Sequence, residues 1–272
     1  MLHIATVHHR SPRWIDIQLA HLHEHISMPF ETWTSLERID PRHGRGFDHV
    51  IDQAGQHAGK LNHLALEIAA QADPEDLLMF LDGDAFPIAD PMPLVHEALS
   101  RAPLVAVRRQ ESLGDRQPHP LFCVTRVGTW RELDGDWSAG YVWEDRRGHS
   151  VSDVGGNLLR ELELSGTPWV EIERSNPQAP EGDPAAFAVY GGVIYHHGGG
   201  FDTAEVNRAR RRREPPAGPL SWLRRPRVWA RQRSARRRER WERRTKKELL
   251  DASERMYGEI AAGGQGWLDE LV

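Results

Sequence analysis

The chain has few of the features that would fix its structure by covalent or membrane constraints. Its 272 residues include a single cysteine, Cys123, so no disulfide can form within the chain. No apolar run approaches the roughly 20 residues that a membrane-spanning helix needs. The apolar start, residues 2–8, is too short for the hydrophobic region of a signal peptide and better fits a first strand. These absences predict a protein of the reducing cytoplasm.

Lysine is also scarce, because only Lys60, Lys246 and Lys247 occur among 35 basic residues. Arginine supplies the remaining positive charge, and it is concentrated in residues 208–247, where 18 Lys and Arg face three Glu, a net charge of +15. The rest of the chain carries −20, which gives the formal net charge of −5. Such a segment predicts an anionic partner.

Tryptophan is interspersed among these arginines, as in segments that bind an anionic membrane surface. We therefore expect peripheral association with the inner face of the membrane through residues 208–247, and we rank nucleic acid below it. The alternative is a helix that packs against the acidic remainder of the chain.

Segments with strand and helix spacing alternate along the first half of the chain. The segments are strand 2–8, helix 14–22, helix 58–71, strand 77–82, helix 91–99 and strand 104–107. Further strands are expected at 118–124 and 188–195, with a helix at 158–164 between them. The alternation predicts an α/β fold with a parallel or mixed central sheet flanked by helices. We divide the chain into a domain over residues 1–207 and an arginine-rich, mainly helical C-terminal extension over residues 208–272.

The most informative segment is Leu77–Pro87, in which five apolar residues end in two aspartates, Asp82 and Asp84. An all-apolar run suits a strand buried on both faces of a parallel sheet, and ligands bind at the carboxyl ends of such strands. Two aspartates this close repel each other unless a cation lies between them, which predicts a divalent metal site. The alternative is a solvated turn. The second Asp-X-Asp, Asp134–Asp136, follows no buried strand and is expected to be such a turn.

The chain combines a polar loop after the first strand, an Asp-X-Asp motif after a mid-chain apolar strand, and a late strand that ends in His196 and His197. In this order of motifs it resembles nucleotide-sugar-dependent glycosyltransferases of the Rossmann-like GT-A fold, over roughly residues 2–201. The resemblance implies that Asp82, Asp84 and one of the two histidines hold Mn²⁺ or Mg²⁺ on the diphosphate of the donor. Because neighbours on a strand point to opposite faces, only one histidine can reach the metal, and we favour His197.

The resemblance further implies transfer of a sugar from a nucleotide-sugar donor to an acceptor, for which we expect a glycan or a lipid-linked glycan. His8 and Arg10 follow the first strand, where the nucleobase would bind. Lys60 and Asn62, early in the helix over 58–71, are candidates for contacts with the phosphates and with the base or ribose. Asp82 is a candidate for the ribose as well as the metal. The alternatives are an ordinary loop and exposed helix residues.

An inverting reaction also needs a carboxylate that accepts the proton of the acceptor hydroxyl. The candidates are Asp136, Glu144, Asp145 and Asp153. Asp153 is our first choice, since it precedes two glycines and a helix, and Asp145 is the second. A plain helix cap is the alternative for Asp153, and a retaining reaction would need no such base.

Two other classes of protein share part of this pattern. Haloacid-dehalogenase-like phosphatases also place Asp-X-Asp after an apolar strand, but near the amino terminus and with a downstream lysine, and none lies between Lys60 and Lys246. A non-catalytic module that binds nucleic acid through residues 208–247 is the second alternative.

Overall fold

The computed structural model describes most of the first 198 residues and a C-terminal segment. The described residues are 1–110, 115–144, 148, 150–177, 186–198, 247–264, 266–269 and 271. Asp145 and residues 208–246, which include nearly all of the arginine-rich segment, lie outside this part of the chain.

Strands and helices alternate within the described residues. The strands are β1 (Leu2–His9), β2 (Phe30–Glu37), β3 (His49–Val50), β4 (Leu77–Asp82), β5 (Ala85–Pro87), β6 (Leu104–Val107), β7 (His119–Arg126), β8 (Trp143–Glu144), β9 (Ser150–Val151), β10 (Val170–Ile172), β11 (Ala188–Tyr190) and β12 (Ile194–His196). The helices are α1 (Ile15–His25), α2 (His57–Gln71), α3 (Met92–Leu99), α4 (Val127–Glu132), α5 (Gly156–Ser165), α6 (residues 247–261) and α7 (Gly266–Asp269), with a 3₁₀ helix at Pro41–Gly46.

The central sheet has seven strands in the order β10-β6-β7-β4-β1-β2-β3. Neighbours within β4-β1-β2-β3 are parallel, and β7 runs antiparallel to both β4 and β6. Apolar side chains of α1 and α3 pack on one face of this sheet, and those of α2 and α5 pack on the other. The mixed central sheet flanked by helices, as expected from the sequence, is therefore confirmed.

A smaller antiparallel sheet, β11-β12-β5, brings the end of the domain back to the segment that follows β4. The sequence predicted one strand over residues 188–195, and this is wrong, because the segment forms a hairpin. Gly191 and Gly192 have φ values of +57° and +70°, so the chain reverses there and Tyr190 pairs with Ile194.

The described part of the C-terminal extension packs on the outer face of this smaller sheet. Ile260 and Trp267 join a buried cluster with Trp14, Phe86 and Tyr195. The last helices therefore form part of the packed body, while residues 208–246 lie outside the described chain. None of the helices in the described ranges has the length and apolar content needed to cross a membrane.

Candidate active site

Two aspartates and one histidine meet at the carboxyl edge of the central sheet. Asp82 is the last residue of β4, Asp84 lies in the turn to β5, and His196 is the last residue of β12. Antiparallel pairing of β12 with β5 sets His196 opposite Ala85. His196 Nε2 lies 3.5 Å from Asp84 Oδ1 and 3.9 Å from Asp82 Oδ2. One ligand atom from each residue lies within 4.8 Å of the others.

The electrostatics of this group favour a cation. Burial opposes charge on His196, but Asp84 and Asp82 outweigh it and raise the pKa of the imidazole. His57 Nε2 lies 3.2 Å from Asp82 Oδ1, and although burial again opposes charge, Asp82 raises the pKa of His57. Asp82 Oδ1 is buried and forms no hydrogen bond of good geometry with the described residues. Carboxylate oxygens with one imidazole suit a divalent cation such as Mn²⁺, so the residues fit a metal.

Gln18, buried on α1, holds the turn that carries the two aspartates. Its Nε2 donates to the carbonyl oxygens of Asp82, at 2.8 Å, and Ala85, at 2.7 Å. Its Oε1 lies 3.1 Å from His8 Nε2. Burial lowers the pKa of His8 to about 4, so the ring is neutral and donates its Nε2–H to Gln18. The main-chain N–H of His197 donates to the carbonyl of Asp84 at 3.0 Å.

A cavity of about 600 Å³ opens beside the Asp82–Asp84–His196 group. The amino terminus of α2, at Gln56 and His57, lines it and has no acidic residue in its first turn. Backbone N–H groups at a helix amino terminus attract anions. Arg109 also lines the cavity, and its guanidinium lies 2.8 Å from Asp115 and 3.4 Å from Asp153.

His119 adds a neutral imidazole to the cavity wall. Burial and the charge of Arg109 lower its pKa well below the ordinary value. Its Nδ1 accepts the main-chain N–H of Leu121 at 3.1 Å. The proton of the neutral ring is therefore on Nε2, which can donate to a ligand.

The structure brings His196 into the aspartate group, which corrects our preference for His197. The side chains of these two neighbours point to opposite sides of the chain, as expected. His197 is buried on the other side, where Nε2 lies 2.7 Å from Ser253 Oγ and Nδ1 lies 2.9 Å from Tyr195 Oη. Burial lowers the pKa of His197 to about 3.

The two residues predicted to contact the nucleobase lie outside the cavity. Val7 and His9 line it, so strand alternation turns His8 to the opposite face, where it is 0% exposed. Arg10 follows β1 with an exposed side chain, and its main-chain N–H donates to the carbonyl of Glu37. The positions of His8 and Arg10 therefore do not support the prediction that they contact a nucleobase.

The lysine and asparagine predicted from α2 also have other partners. Lys60 is only 2% exposed, and its Nζ lies 3.6 Å from Glu37 Oε2. Asn62 donates to Asp136 Oδ1, and its Oδ1 accepts the main-chain N–H of Trp137 at 2.8 Å. Neither residue lines the cavity, because each is fixed by groups on neighbouring segments.

Asp153 does line the cavity, with 46% of its side chain exposed. The cap of α5 is Gly155, not Asp153, and its φ of +84° favours glycine. A Cβ there would lie 2.4 Å from the carbonyl oxygen of Pro118, so the backbone passes too close for any side chain. Asp145, the second candidate base, lies in the part of the chain that the structure does not describe.

Sequence reasoning missed four residues of this site: Gln18, His57, Arg109 and His119. Two of them had a usable signal. His57 begins α2 directly beside the polar loop, and Arg109 follows the buried strand β6, at the same edge of the sheet as Asp82. Gln18 and His119 had none, because α1 appeared to be an ordinary amphipathic helix and His119 opens an antiparallel strand.

No family model matches the chain, and no curated protein is found to be similar to it. Three solved structures have a similar fold, and two of them are glycosyltransferases by name. TarS of S. aureus is 12% identical over 50% of this chain and 30% of its own, with a TM-score of 0.37. The galactosyltransferase LgtC, in complex with donor and acceptor sugar analogs, is 12% identical over 59% of this chain and 70% of its own, with a TM-score of 0.37.

The third is the mannosyltransferase PcManGT from Pyrobaculum calidifontis, in complex with GDP-Man and Mn²⁺. It is 12% identical over 66% of this chain and 58% of its own, with a TM-score of 0.44. The chain thus spans less than two thirds of TarS and of PcManGT. At these TM-scores the similarity carries no argument about the site. The chemistry of the site is therefore argued from the geometry of the described residues alone.

Proposed function

We propose that the protein is a glycosyltransferase that uses a nucleotide-sugar donor and a divalent metal. One observation supports this most directly: Asp82, Asp84 and His196 converge at the carboxyl edge of a mostly parallel sheet, beside a cavity large enough for a small ligand. The wall of that cavity offers Arg109 and the amino terminus of α2, and both attract anions. A metal-bound diphosphate matches this combination of charges.

The three ligands would hold Mn²⁺ or Mg²⁺, which when bound acts as a Lewis acid toward the phosphate oxygens of the leaving group. The chain's own residues do the remaining work. Arg109 and the first turn of α2 would hold the diphosphate beside Asp82 and Asp84, because they line the same cavity. His119 can donate its Nε2–H to an oxygen of the donor, because its Nδ1 is occupied by Leu121. Arg109 replaces Lys60 in this proposal as the cationic side chain for the phosphates.

Asp153 is the proposed base for the acceptor hydroxyl if the reaction inverts the sugar carbon. Its carboxylate lines the cavity and lies 3.4 Å from Arg109, which keeps it turned inward. Asp153→Asn should therefore lower kcat by about 100-fold, the size of effect that a general base supplies, and leave donor affinity near the wild-type value. The matched control is Asp134→Asn on the surface turn. A small change in kcat for Asp153→Asn would exclude Asp153 as the base and favour a retaining reaction.

The phosphatase alternative finds no support in the contacts of the described residues. Its chemistry needs a lysine near the aspartates, whereas Lys60 pairs with Glu37 and Lys247 is exposed. The nucleic-acid alternative rests on residues 208–246, which the structure does not describe.

For the acceptor we propose a glycan or lipid-linked glycan at the cytoplasmic face of a membrane. The support is the composition of residues 208–247, in which three tryptophans are interspersed among the arginines at a net charge of +15. Attraction of this segment to anionic lipid would bring the cavity close to an acceptor in the bilayer.

The proposed function is tested by a thermal-shift panel of UDP-, GDP-, CMP- and dTDP-sugars, each with and without Mn²⁺. A ligand that binds only the folded state must raise Tm. We expect one nucleotide class to raise Tm in a Mn²⁺-dependent manner, and that nucleotide sugar to release its nucleotide on incubation. Absence of any Mn²⁺-dependent shift across the panel would contradict the proposal.

A further inference from the structure

The C-terminal helices lie directly behind the strand that ends in His196. On β12, Ile194 joins the main core, whereas Tyr195 faces the outer cluster that contains Ile260 and Trp267. His196 then faces the cavity. β12 has only three residues, and α6 and α7 pack against its outer face.

A buried hydrogen-bond chain joins α6 to the residue that follows His196. Ser253 Oγ on α6 lies 2.7 Å from His197 Nε2, and Tyr195 Oη lies 2.9 Å from His197 Nδ1. The main chain of the same His197 donates to the carbonyl of Asp84 at 3.0 Å. One residue thus contacts α6 through its side chain and the aspartate turn through its backbone.

The two residues that precede α1 make a second set of contacts with α6. Arg13 pairs with Glu254 at 2.9 Å, and its guanidinium lies 4.3 Å from the centre of the Tyr257 ring. The Trp14 ring lies 4.5 Å from that of His197 and 5.1 Å from that of Tyr257. The helix is therefore fixed around His197 rather than resting on the surface at one point.

We propose that α6 is a structural part of the metal site, with Ser253 and His197 as positioning residues that hold His196 within reach of Asp82 and Asp84. The inference rests on the proposed function, because it takes those three residues as metal ligands. Metal–ligand distances tolerate only about 0.2 Å of error, so a three-residue strand needs outside support to keep its histidine in place. Loss of a residue that orients a ligand typically weakens metal affinity about 10-fold to 100-fold.

The test is a Mn²⁺ titration of the full chain, followed by the electron paramagnetic resonance signal of free Mn²⁺, together with Tm. The variants are Ser253→Ala, which removes the hydroxyl, and Ser253→Thr, which keeps it. Ile260→Ala is the matched control, because it loosens the apolar packing of α6 and keeps both partners of the Ser253–His197 hydrogen bond. Asp84→Asn removes a proposed ligand.

We expect Ser253→Ala to bind Mn²⁺ about tenfold more weakly than the wild type, Ser253→Thr to restore affinity, and Ile260→Ala to lower Tm while keeping affinity. Wild-type Mn²⁺ affinity in Ser253→Ala would overturn the positioning role. So would a loss of Mn²⁺ affinity in both Ser253→Ala and Ile260→Ala that is proportional to the fall in Tm of each variant. The proposed function would survive that result if Asp84→Asn still abolished binding. A wild-type chain that binds no Mn²⁺ would overturn both.

Discussion

At the scale of single residues, the buried imidazole of His8 should make the folded protein less stable in acid. The ring is fully buried, and burial lowers its pKa from 6.5 to about 4. The unfolded chain therefore binds a proton at His8 between these values while the folded chain does not. Stability conferred by the neutral ring is present above pH 6.5 and is lost as the pH falls toward 4, at about 1.4 kcal/mol per pH unit and about 3 kcal/mol in total.

The measurement is urea unfolding of the wild type and His8→Gln from pH 7 to pH 4. Glutamine can still donate to Gln18 Oε1 but does not titrate. We expect the unfolding free energy of the wild type to fall more steeply over this range than that of His8→Gln. Parallel curves would show that His8 is protonated in the folded state without penalty.

The sequence could indicate Asp82 and Asp84, because an abrupt change from apolar to acidic residues marks the end of a buried strand. It could indicate only that either His196 or His197 binds the metal, because strand alternation turns one of two neighbours away without showing which one. His8, Lys60 and Asn62 lie outside the cavity because each contacts a residue on another segment, Gln18, Glu37 and Asp136 respectively. Such partners are set by the packing of separate elements, which no local pattern encodes.

At the scale of elements, the turn from β4 to β5 depends on a helix far away in sequence. Gln18 on α1 is the buried donor to the carbonyls of Asp82 and Ala85. Gln18→Met keeps the size of the side chain and leaves both carbonyl oxygens without that donor. Each unsatisfied buried group costs about 1–3 kcal/mol, so we expect the unfolding free energy to fall by about 2 kcal/mol or more.

The same change should also weaken Mn²⁺ binding, because the turn carries two of the proposed ligands. Urea unfolding and Mn²⁺ titration measure the two effects. Gln71→Met is the matched control, since Gln71 is an exposed residue at the end of α2. If Gln18→Met behaved like this control in both assays, the turn would not depend on Gln18.

Elements with a long, regular pattern were predicted well, and short or polar ones were not. The expected helix over 58–71 and strand over 77–82 match α2 and β4 closely. β2 was missed because Thr32, Thr34 and Ser35 are polar although buried, so its sequence does not resemble a buried parallel strand. The hairpin of β11 and β12 was missed because two glycines within an apolar run were taken as part of one strand.

At the scale of the whole molecule, two adjoining parts of the C-terminal extension should behave differently. The helices after residue 246 bury Ile260 and Trp267 against Trp14, Phe86 and Tyr195. Truncation after residue 246 would expose this cluster, so we expect a fall in Tm of at least several degrees. Replacing the arginines of residues 208–246 by glutamine should leave Tm nearly unchanged.

The arginine replacement should instead weaken binding to anionic vesicles. Each basic residue near such a surface contributes about 1 kcal/mol, and salt at physiological strength screens charges beyond about 8 Å. Co-sedimentation of the full chain across a salt series measures the effect, with neutral vesicles as the control. Binding that is absent, or that does not respond to salt, would contradict the membrane partner.

The central claim is that Asp82, Asp84 and His196 bind a divalent metal that in turn holds a nucleoside diphosphate. Its most direct test is the affinity for the nucleoside diphosphates, measured calorimetrically with and without Mn²⁺, in the wild type, Asp84→Asn and Asp134→Asn. Asp134 belongs to the other Asp-X-Asp of the chain, on a turn away from the cavity. We predict Mn²⁺-dependent binding in the wild type and Asp134→Asn, and its loss in Asp84→Asn with Tm preserved. Equal binding with and without Mn²⁺, or Mn²⁺-dependent binding that survives in Asp84→Asn, would contradict the account.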